Sequence, residues 1–225
     1  VQAQHDHYIY NLIMAAIIIK FPNEFQKTPL PTIMRSTNQN KDQELFVPFN
    51  SSEKKDEVMS KTYKFIQQHP RLSSLENNIM LITNELLMNA LYCAPTDKKG
   101  SPLYHHSGRD MPIKYEGKKI GEIYLSFNDN TFVVGCRDPF GSFDNDTLKE
   151  RLNEVFRSDK KASIDTSEQR KGGSGLGLKI AIENSTGFGL VVKKHVESFV
   201  FAALPLGKGN KTIHAMAKNL YINFF

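Results

Sequence analysis

Tryptophan is absent from the 225 residues, and cysteine occurs only twice, at Cys93 and Cys136. The two cysteines form no C-x-x-C pair and both stand in apolar surroundings. That excludes a disulfide framework and a thiolate zinc site, and it points to a reducing, cytoplasmic location. Long hydrophobic runs are missing too: the longest, residues 12–19, falls well short of the ~20 residues a spanning helix needs, so no membrane partner is expected within this segment. Positive charge is in excess by five, yet no basic arm gathers it. It is scattered over Lys-Lys pairs at 54/55, 98/99, 118/119, 160/161 and 193/194 without interleaved aromatics, which describes a solvated surface and not a nucleic-acid groove. A small anionic ligand suits the same charge balance.

What is present is the composition of an ordinary globular protein, 40% hydrophobic and 24% charged, enough for one domain with an appended segment. The start at Val1 suggests a piece of a longer chain, with residues 1–43 as the helix and linker that end a larger upstream region. Residues 6–20 read as a helix with a broad apolar surface, and Pro22, Pro29, Pro31 and the polar run 36–43 read as the linker. From residue 44 the signals become regular. A strand over 44–49 precedes a charged helix from Ser52, as its cap, to about His69, with Val58, Thr62, Phe65 and Ile66 facing inward. Pro70 stops it. Ser73 and Glu76 have the spacing of a capping box for a second helix reaching about Cys93.

Ile79, Ile82, Leu86 and Ala90 form the apolar stripe of that helix, and Glu85 and Asn89 lie on its border. Four residues apart, their side chains point the same way one turn removed, so a carboxylate and an amide oxygen can converge on one metal ion or water. His105 and His106 follow in a loop-rich stretch and receive no role. Ile123, Leu125 and Phe127, then Phe132, Val134 and Cys136, alternate as a hairpin with one buried face. The hairpin ends in Asp138, Pro139, Phe140, Gly141 and Ser142, a carboxylate at a strand end where ligand crevices open. A helix over about 144–156 turns Leu148, Leu152 and Val155 inward. The polar stretch 157–173 cannot bury itself and is expected to be mobile. Then comes GGSGLGLKIA, 172–181, with Gly173, Gly175 and Gly177 at alternate positions before a helix. Glycine permits close backbone approach, and the helix's first turn offers unpaired N–H groups to phosphate. Gly187 closes that helix, and residues 190–194 and 198–204 read as a last pair of strands.

In this order the segments resemble the ATP-binding domain of the GHKL superfamily, shared by histidine kinases, anti-sigma serine kinases, gyrase-type topoisomerases and related ATPases. TNELLMNALYCAP at 83–95 is similar to that family's N box, CRDPFGSF at 136–143 to its first glycine box, and GGSGLGLKIA to its second. The resemblance spans about residues 44–206 and is greatest to the anti-sigma serine kinase branch and stand-alone bacterial signalling domains. It implies an α+β fold, a two-layer sandwich with helices covering one face of a mixed, mostly antiparallel sheet. Residues 44–225 would form the ATP-binding domain, with a C-terminal extension from about 207. It further implies ATP and Mg2+ as cofactors, Asn89 as the Mg2+ ligand and Glu85 as general base. Asp138 would accept from the adenine amino group, beside Gly141 in the same box. Gly173 and the backbone of Gly175, Leu176, Gly177 and Leu178 would bind phosphate, and Ser198 would sit beside the adenine; from their charge and position alone, Arg170 and Lys171 of the lid are expected to reach the phosphates.

Two positions depart from the family's pattern. Phe140, Gly141 and Ser142 stand where relatives have Gly-x-Gly, which predicts a differently built turn with one close backbone approach lost. Cys93 stands where relatives commonly carry a basic side chain. The implied functions are a histidine or serine/threonine protein kinase of a two-component or related signalling pathway, an ATP hydrolase switch, or a non-catalytic ATP-dependent interaction module. The partner would be a signalling protein, such as a phosphoacceptor, a response regulator or an anti-sigma-type partner, and a homodimer is compatible. HYIYNLI at 7–13 has the outline of a phosphoacceptor region around His7, an outline that an aromatic-rich helix start produces equally well by chance.

Overall fold

The alternation of apolar and polar side chains sets the sheet. In the computed structural model, which describes residues 43–97, 100–104, 108, 111–156 and 176–224, strands β1 (Glu44–Phe49), β2 (Gly121–Phe127) and β3 (Thr131–Asp138) pair antiparallel. Strands β4 (Gly187–Lys193) and β5 (Glu197–Pro205) continue the sheet, and β6 (Asn219–Phe224) closes it in the order β1-β2-β3-β5-β4-β6. Every pairing is antiparallel except β4 with β6. One row across all six strands runs Val47, Ile123, Cys136, Val200, Leu190 and Ile222, uniformly apolar, and this face carries the core. The fold is therefore α+β with an open, mostly antiparallel sheet, the coarse architecture that the resemblance implies.

Helix α1 (Lys55–Gln68) buries Val58, Thr62, Phe65 and Ile66, the four inward positions its periodicity predicts. Its entry differs from expectation. Ser52 does not cap it; Ser52 lies in a 3-10 turn where its hydroxyl accepts from the Ile113 N–H at 2.9 Å and so ties the helix start to the segment before β2. Helix α2 (Glu76–Met88) likewise lacks the expected capping box. Pro70 opens a 3-10 helix (Pro70–Leu75), so the chain is already helical at Ser73, whose hydroxyl donates to the Pro70 carbonyl at 2.8 Å. Glu76 instead accepts from Gln67 at 2.8 Å.

Helix α3 (Asn145–Phe156) buries Leu148 and packs Leu152 on the core, and α4 (Leu176–Glu183) buries Ala181 and Ile182. Gly187, expected to end that helix, is the first residue of β4. Residues beyond 206 add a short helix α5 (Asn210–Ala215) and strand β6, neither of which the sequence announced. Lys218 explains how they hold. Its ammonium donates to the carbonyls of Glu183, Ser185 and Ile213 at 2.9, 2.7 and 2.8 Å, a cation set at the C-terminal ends of α4 and α5, where helix dipoles favour positive charge. Among the described residues no helix is long and apolar enough to cross a membrane.

Candidate functional site

The apolar stripe of α2 fixes where its polar border points. With Ile79, Ile82, Leu86 and Leu87 fully or nearly fully buried on the sheet, Glu85 is drawn in as well, 8% exposed, while Asn89 stays half-buried. After Met88 the helix widens into one π turn (Asn89–Cys93), in which the Ala94 N–H donates to the Asn89 carbonyl at 3.0 Å. Such single π turns recur at functional sites because the extra residue re-aims the side chains that follow. Here the turn buries Ala90, Leu91 and Tyr92 and leaves Cys93 exposed, contrary to the apolar setting its neighbours suggest. The Cys93 Sγ lies 3.9 Å from Asn89 Oδ1.

The start of α4 comes down on this pair. A Cβ placed on Gly177 would stand 2.6 Å from Glu85 Oε2 and 3.0 Å from Asn89 Nδ2, so only glycine leaves both polar groups room. The far end of α4 is joined to α2 as well, Asn78 donating to the Asn184 backbone carbonyl at 3.3 Å. The helix is thus pinned along its length, with its N-terminal N–H groups beside the carboxylate and the amide. Leu178, half-buried, packs on the core. Leu176 is the first residue of α4, while Gly173, Gly175, Arg170 and Lys171 lie outside the described residues, as do His7, His105, His106 and the rest of the stretch 157–173.

Asp138 ends β3 at the opposite wall. It is 6% exposed, and one carboxylate oxygen accepts the Phe140 N–H at 3.0 Å and the Gly141 N–H at 3.4 Å. Burial pushes its carboxyl up from 3.8 to about 6, against the backbone N–H groups and the Ser198 hydroxyl, which favour the ionised form. Ser198 faces it from β5, directly opposite in the ladder, and its buried Oγ makes no hydrogen bond of ordinary geometry.

The turn after Asp138 keeps one close backbone approach, where two were expected to shrink to one. Gly141 has φ +59°, and a Cβ there would collide with the Lys193 carbonyl and the Val196 and Glu197 N–H groups of the β4–β5 turn. Its carbonyl accepts the His195 N–H at 3.0 Å. Ser142 donates to the Ala94 carbonyl at 2.7 Å, Tyr115 donates to the Ala90 carbonyl at 2.8 Å, and the Phe140 ring meets Tyr115 edge-on at 5.0 Å. The Asp138 turn is therefore fastened to the π turn that follows Asn89. The sequence did not point to Tyr115, since a lone tyrosine in a loop-rich stretch carries no periodic signal.

Replacing Gly141 by Ala adds a left-handed backbone penalty of about 1–2 kcal/mol to a clash with rigid backbone. Its thermal midpoint is expected to fall by several degrees relative to the parent chain in a differential scanning measurement. An unchanged midpoint would show that the turn gives way without cost.

Set against models of known protein families the chain matches none, and a comparison with curated proteins finds no match either. The chemistry of the site rests on its own residues. An amide oxygen beside a carboxylate at a helix N-terminus suits a hydrated divalent cation shared with phosphates. Mg2+ accepts few protein oxygens in such sites, and among the described residues no cluster of three His, Cys, Asp or Glu side chains offers a closed metal cage. A buried carboxylate at a strand end with a free lone pair suits a planar N–H donor.

Proposed function

We propose that the domain binds Mg-ATP and is the catalytic part of a GHKL-type signalling kinase, transferring the γ-phosphoryl group to a His, Ser or Thr of a partner protein. The observation that supports this most is the meeting of three separated segments. Glu85, Asn89 and Gly177 converge within contact distance, and the Asp138 turn is tied to the same π turn. The three are the segments on which the resemblance rests.

In this reading the adenine amino group donates to Asp138, and the phosphates lie along the N–H groups at the start of α4, where the helix dipole favours negative charge. Asn89 Oδ1 would hold Mg2+, which would supply neutralisation of the phosphate charge. Glu85 accepts the proton of the attacking hydroxyl or imidazole as its oxygen or nitrogen bonds to the γ-phosphorus and the bond to the bridging oxygen of ADP breaks. Cys93 leaves the phosphates one cation fewer than a basic side chain there would give. The signalling partner and a cytoplasmic setting belong to the same proposal.

Gly177→Ala tests the convergence. Alanine raises intrinsic helix stability by up to about 1 kcal/mol, so the fold is retained. The added methyl must displace the Glu85 carboxylate and the Asn89 amide. Phosphoryl transfer and ATP hydrolysis are expected to drop by roughly 100-fold, the scale of a displacement of about 1 Å at reacting groups. Turnover of radiolabelled ATP that matches the parent chain would contradict the reading.

A further inference from the structure

The sheet has a second apolar face that none of the described helices covers. Val58, Ile82, Leu148, Ala181 and Ile213, one from each helix, all belong to the core on the other side. Yet Tyr124, Val133, Val191, Phe199, Phe201 and Ala203, which alternate with the core-facing residues of β2 to β5, are only 1 to 8% exposed and form no part of that core. Water reaches the central side chains of an uncovered sheet face, and a stripe this apolar calls for a cover. One row across the six strands reads Phe46, Tyr124, Gly135, Phe201, Gly189 and Tyr221, aromatics with glycines on either side of Phe201. The Phe201 ring lies over Gly189, and Phe46 meets Tyr124 edge-on at 4.2 Å. Charge is kept to the margins of this face: Arg137 pairs with Glu197 at 3.4 Å and Glu122 at 3.9 Å at the site end, and Glu44 stands at the far end of edge strand β1.

We propose that residues 6–20 of the same chain dock on this outer face as an amphipathic helix and complete the domain as a third layer. The burial of the six side chains arises within a single chain, which argues for a segment of that chain over a second copy. Residues 8–19 carry no charge and include the longest apolar run, which matches the uncharged centre of the face. A helix over 6–20 is ~22 Å long, comparable with the ~24 Å width of six strands. The stretch 21–43 reaches up to ~70 Å when extended, ample to return from edge strand β1 across the sheet. The inference does not rest on the nucleotide reading.

The test uses the full 225-residue chain with the photo-crosslinking residue benzoylphenylalanine in place of Phe46 or Tyr221, the two ends of the aromatic row, which are not fully buried. Irradiation is expected to give a species of monomeric size whose crosslinked peptides map to residues 6–20. In the Ile17→Asp, Ile18→Asp double variant that crosslink should fall at least tenfold while near-ultraviolet circular dichroism stays that of a folded chain. Crosslinks joining two copies would show sheet faces paired in a dimer and overturn the proposal. Crosslinks only to residues outside 6–20, or none from either position, would overturn it equally.

Discussion

Asn89→Ala is expected to abolish Mg2+-dependent nucleotide binding and to leave the fold in place. Asn89 is half-buried at the first position of the π turn, and its side-chain oxygen is the hard donor that stands beside Glu85 and Gly177. Its backbone does the structural work: the Asn89 N–H donates to the Glu85 and Leu86 carbonyls, and its own carbonyl accepts from Ala94. Alanine keeps all of these. Outer-sphere partners of a bound metal are worth about 10–100-fold in affinity, so loss of a direct ligand should cost at least the upper end. Calorimetric titration with ATP is expected to show this loss with Mg2+ present and almost no change in excess chelator. Equal affinity of parent and variant in Mg2+ would remove Asn89 from the site.

Asp138→Asn is expected to weaken ATP binding and stabilise the ligand-free fold at once. In the proposed complex the ionised carboxylate would accept from the adenine amino group by a charge-assisted hydrogen bond, whose loss should cost about 1.5–3 kcal/mol. The stability effect follows from the raised pKa, about 6 against an ordinary 3.8. The folded chain holds this proton more tightly than the unfolded chain. Stability therefore falls as pH rises from about 4 to about 6, and above that range the buried charge is a standing cost. Asparagine does not titrate, and its amide can donate to the Ser198 Oγ opposite. Its advantage should be present at pH 7, on the order of 1–3 kcal/mol, and vanish by about pH 4. Denaturant melts of both proteins at pH 4 and pH 7 read the crossover. The parent chain should also lose ATP affinity as pH falls below about 6, where the variant stays level. A variant less stable than the parent at pH 7 would show that the carboxylate holds its turn together more than burial strains it.

Much of this was legible in the sequence where periodicity carried it. The inward residues of α1, the β2–β3 hairpin and strand β1 came out of apolar spacing alone, because a face buried against one core admits one register. The border position of Glu85 and Asn89 followed from the same spacing. Helix entries were less readable. Ser52 and Ser73 have the chemistry of caps, but a preceding 3-10 turn and a tertiary partner claimed their hydroxyls. The π turn had no sequence signature, and Cys93 at its end is exposed. Strand β6 was missed because its parallel pairing with β4, and the Lys218 bonds to the Glu183, Ser185 and Ile213 carbonyls that accompany it, are tertiary contacts no local window displays. The apolar outer face went unread: the segments holding Val191, Phe199 and Phe201 read only as a last pair of strands, and the alternation of β2 and β3 suggests one buried face where Tyr124 and Val133 bury a second.

Mg-ATP binding is the central proposal for the site, and calorimetric titration of the unmodified 225-residue chain with ATP and with GTP in Mg2+ measures it most directly. Saturable binding of one ATP per chain, with GTP at least tenfold weaker because its ring carries a carbonyl where adenine carries the amino group proposed to donate to Asp138, is the result expected. No heat of binding with ATP up to millimolar concentration, or equal affinity for the two nucleotides, would contradict it.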